Sequence, residues 1–391
     1  MNATIGAQVR MWLAEYWRPG MNEQEFLEDA VDAGWLVPTW SRNWFGLEMS
    51  DAEAEEVGRE FERVRAPGRA DLQNVHARVI YHLGSDLLRE KYLRGLLVGQ
   101  IHGCLLYSEP GAGSDLASLR TSAVREGSRW RISGQKVWTS GAQYADYGLL
   151  VARTDRTKPK HGGITFFVLS MRQPGVEVRP ITQITGDTHF NEVFLTDAVV
   201  DDDHRLGEVN HGWFVLMTAL GHERSVMGSR GSGSRMNDPR YVGTDDDLIG
   251  LAREHGLLHD SATVNALSDV YATRTALRLT TIRYAGEGRS ADPATLSIGK
   301  LAMSRLLHDT ARIRRDIVGS ATLLDASAGD QPGAGSEAAG IANFHTLDAY
   351  FTSIGGGTDQ IQRNIIGERI LGLPKEPDPS KSVPFNEIRQ G

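Results

Sequence analysis

Two short strings carry the residue types from which a ligand site can be made: Leu105-Leu-Tyr-Ser-Glu-Pro-Gly-Ala-Gly-Ser-Asp115 and Gly134-Gln-Lys-Val-Trp-Thr-Ser-Gly141. The first is an apolar run, suited to a strand or a helix end, that Pro110 and two glycines turn into a loop. Glycine lets a backbone approach a flat or phosphorylated ligand closely, and Ser108 and Ser114 add short hydrogen-bonding arms. In the second string Trp138 is followed by Thr139 and Ser140. Two hydroxyl-bearing loops, one with a large aromatic ring, suit a planar cofactor better than a phosphate alone. No Gly-Lys-Ser/Thr follows, and no Gly-x-Gly-x-x-Gly opens a helix. Taken alone, Gly-Ala-Gly-Ser reads as a turn more often than as a ligand loop, and an isolated tryptophan reads first as core.

Two further segments place chemistry on helices. In Trp213-Phe-Val-Leu-Met-Thr-Ala-Leu-Gly-His-Glu-Arg-Ser-Val-Met, residues Leu216, Leu220, Glu223 and Met227 share one helical face. Glu223 interrupts that apolar stripe, where a carboxylate loses hydration and its pKa should rise. A raised pKa suits a general base for a carbon acid. A lone glutamate in such a stripe more often finds a distant arginine or lysine. Near the C-terminus, Ile354-Gly-Gly-Gly-Thr-Asp-Gln puts three glycines before a helix that Thr358 or Asp359 would cap, and helix N-termini favour anionic groups.

The elements that must position these residues fall into three regions. Residues 1–105 read as a helical domain, with helices over Glu23–Ala33, Ala52–Val64 and Leu87–Leu97 and an aromatic loop over Trp35–Gly46. Residues 106–212 change period. Strand-length runs at Trp130–Trp138 (read as a hairpin around Ser133-Gly134), Gly148, Gly163, Gly175 and Asn191, with no helices between, predict an antiparallel sheet or barrel. Residues 213–391 return to the helical period, with long helices over Ser261–Ala285, Pro293–Val318 and Ala342–Leu371. Loose segments fall at Gly228–Pro239, where Arg230 and Arg235 could touch a phosphate, and at Ser327–Ala339. The fold class is α+β, mainly α.

With 391 residues, 40% hydrophobic and 24% charged, the composition is that of a soluble globular protein. A net charge of -8 argues against nucleic-acid binding as the main activity. Cys104 alone excludes an intramolecular disulfide and a cysteine-rich metal site, and it reads as a small buried hydrophobe. No metal site, membrane span or signal peptide is expected, which makes the cytoplasm the default location.

Ser-Glu-Pro-Gly-Ala-Gly-Ser-Asp, then Gly-Gln-Lys-x-Trp, then Ala145-Asp closely resembles the signature of the acyl-CoA dehydrogenase flavoproteins. The helical, β, helical order extends the resemblance over nearly the whole chain. It implies FAD as cofactor. Leu105, Tyr107, Ser108, Gly113 and Ser114 would line the flavin, Trp138 would cover the isoalloxazine, and Ser140 would reach the region of N5. Thr358 and Gln360 would touch the flavin and adenine side. Ser114 and Arg224 would contact substrate, an acyl-CoA thioester.

Many family members carry a glutamate immediately before the Gly-Thr of the C-terminal string, and it removes the α-proton of the thioester. Here that position is Gly356. A subset, including isovaleryl-CoA dehydrogenase-like members, moves the base to the helix after the β domain, in a Glu-Arg pair. Glu223-Arg224 is that pair. The resemblance thus implies Glu223 as base, hydride transfer to flavin N5, a trans-2-enoyl-CoA product, and the Gly356 N–H as donor to the thioester carbonyl. Electron-transferring flavoprotein is the acceptor it points to.

Arg283-Tyr-Ala-Gly-Glu-Gly-Arg and Val318-Gly-Ser-Ala-Thr-Leu-Leu depart from the segments with which homotetrameric members hold a neighbour's FAD. That divergence resembles actinobacterial-type members, some of which pair two unlike subunits and act on bulky esters such as steroid side chains. A homodimer, a homotetramer and a heterotetramer with a related subunit all stay open. A flavin monooxygenase or oxidase on the same fold is disfavoured by Glu223-Arg224, and a non-catalytic subunit by the intact Ser108–Asp115 string.

Overall fold

The computed structural model describes residues 4–68, 72–230, 247–286, 293–323 and 336–388, and the side chains of 72–74, 222–230, 247, 285–286, 293–295 and 336 lie outside that description. The chain divides into two compact units. One comprises Met1–Ile181, Thr188–His222 and Pro379–Gly391; the other comprises Thr182–Asp187 and Glu223–Asp378.

The first unit opens with five helices: α1 (Ile5–Tyr16), α2 (Glu23–Asp32), α3 (Asp51–Arg63), α4 (Leu72–Leu83) and α5 (Asp86–Leu97). Hydroxyl or amide side chains start four of them. Thr4, Asn22 and Ser85 accept backbone N–H groups, and Ser50 exchanges bonds with Glu53 in a capping box. Each helix buries an apolar stripe, Val9 and Leu13, Phe26 and Ala30, or Val57 and Phe61 among them. The expected α2, α3 and α5 are present within a residue or so; α1 and α4 are additions.

Next come β1 (Gly103–Leu106), β2 (Ser122–Glu126), β3 (Arg129–Ser140), β4 (Tyr147–Arg153), β5 (Ile164–Ser170), β6 (Val176–Ile181), β7 (Phe190–Asp201) and β8 (Arg205–Leu206). Among the described residues they form one sheet in the order β6-β7-β3-β2-β4-β5-β8, with β1 beside β4. Most pairs are antiparallel; β1 runs parallel to β4, and β2 meets β4 in parallel at Ser122 and Arg153. All seven residues of β4 are buried, which explains its unbroken apolar run.

One expectation is corrected here. Ser133-Gly134 is no hairpin turn: β3 runs unbroken through it, with a register shift against β7. The reversal comes earlier, at Gly127-Ser128 between β2 and β3. Gly134 is needed because the strand passes so close to Thr121 that a Cβ would lie 2.7 Å from that residue's Cα.

After the sheet comes α6 (Gly212–Arg230), then α7 (Asp247–Glu254), α8 (Ser261–Gly286), α9 (Pro293–Val318), α10 (Ser336–Ile354) and α11 (Asp359–Ile365). Ala252, Val270, Leu306, Ile313, Ile317 and Ala342 build the core of the second unit. The single helix expected over Ala342–Leu371 is two helices, broken at Gly355–Gly357 where Gly356 and Gly357 take φ of 65° and 86°. Consecutive left-handed residues cannot continue a right-handed helix. Helix α6 extends to Arg230, beyond the expected loop start at Gly228. Arg235 and residues 327–335 lie outside the described residues, whereas 336–339 already belong to α10.

Candidate active site

The two strings that stand 19 residues apart in sequence are joined in space by β3. The Val137 N–H donates to the Ser108 carbonyl at 3.0 Å. One residue earlier, the fully buried Lys136 ammonium donates to the Tyr107 carbonyl at 3.0 Å and to Glu109 Oε1 at 2.8 Å. Glu109 also accepts the Arg120 N–H at 2.6 Å and the Thr121 N–H at 2.9 Å. Burial pushes the Glu109 carboxyl pKa up, but the Lys136 charge and these donors outweigh it and hold it below the ordinary range. Burial lowers the Lys136 pKa, with Glu109 opposing. The Glu of Ser-Glu-Pro and the Lys of Gly-Gln-Lys thus lock the two strings together beneath the surface. The sequence reading assigned neither of them; the signal was there, a charge in each string beside apolar neighbours.

Above this pair the surface is open. A two-residue turn closes between Glu109 and Ala112 by reciprocal backbone bonds of 3.1 and 3.0 Å. Gly111 and Gly113 are exposed, and a Cβ on either would meet nothing within 4 Å. Ser114 is exposed and Ser108 half-buried, whereas the Tyr107 ring is buried edge-on against Phe166. Leu105 is half-buried in β1.

Trp138 is not a core residue. Its φ is 59°, it lies at the second register shift of β3, and its side chain is 59% exposed. A left-handed non-glycine residue costs roughly 1–2 kcal/mol. The bulge turns the indole outward, edge-on to Phe190 with centroids 6.0 Å apart. After it in β3, Thr139 is buried with its Oγ1 unpartnered among the described residues, and Ser140 is half-buried. Bare glycine backbone, serine hydroxyls, an outturned indole and an orphaned hydroxyl fit a flat aromatic ring system with polar edges.

In the second unit, Thr358 caps α11, its Oγ1 accepting the Ile361 N–H at 3.2 Å. Gln360 is exposed. The buried amide is Gln362, whose Nε2 donates to the carbonyls of Gly356 and Gly357 at 3.2 Å each. Lys300 donates to Asp359 at 3.1 Å, and Ser304 to the same carboxylate at 2.9 Å. Gly356, Thr358 and Gln360 therefore fall on the glycine loop, the cap and the first turn of α11, a stretch whose backbone is held from inside. On α6, Leu216 is buried and Leu220 half-buried, as the stripe requires; the side chains of Glu223 and Arg224 lie outside the described residues.

A cavity of about 450 Å³ in the first unit was not foreseen. It lies between the Lys158–Gly162 loop and the start of α6, lined by Lys158, His161, His211, Trp213 and Phe214 among others. His161 meets Trp213 edge-on at 4.7 Å, and Phe214 is 68% exposed. Ile164 of β5 bridges His211, and Asn210 N–H donates to Thr165 Oγ1 at 2.9 Å, which fixes the helix start against the sheet. Aromatic faces beside an ammonium and two imidazoles suit a base joined to an anion. Asp201, Asp203 and His204 also approach one another, but Asp203 and Lys91 already use both nitrogens of the imidazole. Cys104 is buried in β1, and its thiol pKa is raised by burial.

A helical domain, a β-sheet domain with an outturned tryptophan on the strand that bonds a glycine-bearing loop, and a helical C-terminal region define a class of flavoprotein oxidoreductases. The acyl-CoA dehydrogenase N-terminal domain matches residues 3–100, the middle domain 104–198 and the C-terminal domain 210–371. The acyl-CoA dehydrogenase IpdE1 of Mycobacterium tuberculosis is 30% identical over 95% of this chain and 97% of its own. The chain belongs to the acyl-CoA dehydrogenase family, whose cofactor is FAD. FadE34 of the same organism is 36% identical over 88% of this chain, which spans 45% of that protein's length. Among solved structures, the Tcur3481-Tcur3483 steroid ACAD is 27% identical with a TM-score of 0.72, covering 95% of this chain and 97% of the other. No described helix is long and apolar enough to cross a membrane.

Proposed function

We propose that this chain oxidises the α,β-bond of a bulky acyl-CoA thioester to the trans-2-enoyl-CoA, with Glu223 as the base. The observation that carries the reading is Trp138, held exposed on a strained bulge beside the glycine loop. Bound FAD supplies the two-electron acceptor. Ser108, Gly113, Ser114, Trp138 and Ser140 would line it, and Thr358 and Gln360 would touch its flavin and adenine side. Leu105 and Tyr107 would supply backbone to the same surface. Ser114 and Arg224 would touch the thioester. Gly356 lends its N–H to the carbonyl; a glutamate there would have to adopt the left-handed backbone, which supports moving the base to α6. The cavity at Lys158, His161 and Trp213 has the chemistry to take the nucleotide end of CoA.

The breadth of the acyl group is supported by the glycines at 355–357 and by the likeness to a steroid enzyme. Assembly with a related subunit is part of the proposal. Helix α8 packs Leu267, Val270 and Leu277 inward yet leaves Tyr271, Leu279 and Ile282 more than half exposed. A helix apolar on both faces calls for a second partner. Electron-transferring flavoprotein is the proposed acceptor.

The test is a panel of CoA thioesters, from short straight chains to steroid side chains, read by bleaching of the flavin band. Glu223→Gln should keep the flavin and lose about 10²–10⁴-fold in rate. Undiminished oxidation by that variant would sink the assignment of the base.

A further inference from the structure

The segment between α11 and the end of the chain returns to the first unit. Pro384 bridges Pro159, the Phe385 N–H donates to the Lys158 carbonyl at 2.9 Å, and the Asn386 N–H to the Arg156 carbonyl at 3.0 Å. The chain therefore lays a single β-bridge and a short 3-10 turn, Phe385–Glu387, along the loop that lines the aromatic and basic cavity. Phe385 is buried, and its ring lies flat under the Arg153 guanidinium, 3.8 Å from the centroid.

Arg153 is an unusual cation. It is 2% exposed, and its hydrogen bonds within the described residues go to carbonyls: Ala117 at 2.6 Å, Lys160 at 2.7 Å and Leu119 at 3.3 Å. One guanidinium thus ties the cavity loop, at Lys160, to the segment directly after the Ser108–Asp115 string. The Lys160 ammonium makes a second tie, reaching both oxygens of Asp115 at 3.1 Å. A desolvated guanidinium without a bonded carboxylate gains attraction from an aromatic face. Phe385 is the ring that covers it.

We propose that Phe385 is a positioning residue for substrate: through Arg153 it holds the Lys158–Gly162 loop in the shape that grips the nucleotide end of the thioester. This rests on the functional reading given above. Phe385 touches no reacting group, so its loss acts on binding and leaves the chemical step intact. With Phe385→Ala, KM for the preferred CoA thioester should rise about tenfold while kcat stays within about twofold. The dissociation constant of free CoA, measured by calorimetry, should rise by the same factor, and flavin content should not change. Trypsin should cut faster after Lys160. Phe385→Tyr, which keeps the aromatic face, should restore all of these.

Asn386→Pro, which removes the donor to Arg156, should give the same pattern more weakly if Phe385→Ala fails to fold. Unchanged KM and CoA affinity would overturn the proposal. So would a fall in kcat or flavin content, which marks a purely structural role. A wild-type protein that oxidises no CoA thioester would instead sink the functional reading, whatever the variants do.

Discussion

Two buried lysines lie beneath the two glycine-bearing loops proposed for the site, and they are held very differently. Lys136, fully buried, meets a carboxylate that also takes two backbone N–H groups, so charge and donors saturate each other. Lys300 is 4% exposed and meets Asp359, an 18% exposed side chain at the first position of α11 with a serine as its other partner. The first pair is sealed in the sheet and fixes two strings by charge. The second sits at a helix start, where the macrodipole and solvent also serve the anion. The loop of the β domain therefore depends on its ion pair, while the glycine loop depends on backbone conformation, with the charge as support.

The largest break follows from that contrast. Lys136→Met leaves Glu109 charged and buried, and removing one partner of such a pair costs about 3–5 kcal/mol. Denaturant unfolding of the cofactor-free protein should show a loss in that range. The same site sets an acid limit. Because the folded Glu109 pKa lies below the ordinary glutamate value of 4.5, the unfolded chain takes the proton first as pH falls. The stabilisation is full above that value and is lost as pH drops through the folded pKa. Glu109→Gln should flatten that part of the stability profile; an unchanged acid slope would mean that the pair is not what holds the strings.

Lys300→Met should cost less, about 1–2 kcal/mol, because Asp359 keeps the Ser304 bond, the helix terminus and access to water. Equal losses for the two lysines would erase the distinction between a sealed pair and a capping pair. Unfolding curves for the two variants, taken at one pH, decide it.

Much of this was legible beforehand. The Ser108–Asp115 and Gly134–Gly141 strings identified the family, because glycines, hydroxyls and a tryptophan at such spacing are local information. A cap at Thr358 or Asp359 was equally local, and Thr358 fills it. What escaped was non-local. Ser133-Gly134 reads as a turn until Thr121 is seen crowding the strand from another segment. Nothing local marks Gln362 as buried; the glycine carbonyls that turn onto it come from the bend before the helix. The Arg153–Phe385 stack joins positions 232 apart, with no pattern in either neighbourhood to announce it. Helix α4, with Asn74, His76 and His82 among its apolar residues, has a diluted stripe, although Val75, Val79 and Ile80 are buried.

The smallest effect separates the two loops most cleanly, because it asks why each holds glycine. Gly356 has φ of 65°, so a side chain is strained there whatever the space around it. Gly113 has ordinary backbone and open space where a Cβ would go. Gly356→Ala should therefore destabilise the protein by about 1 kcal/mol, with or without cofactor. Gly113→Ala should leave unfolding within about 0.5 kcal/mol of wild type, as an exposed substitution does. Its methyl group would instead occupy the surface proposed for the flavin, and FAD affinity should fall. Thermal unfolding of cofactor-free samples, paired with FAD titration, reads both quantities. If Gly113→Ala bound FAD as tightly as wild type, the glycine would be a turn residue after all, and the hydroxyls of the Ser108–Asp115 string together with Trp138 of the second string would hold the cofactor.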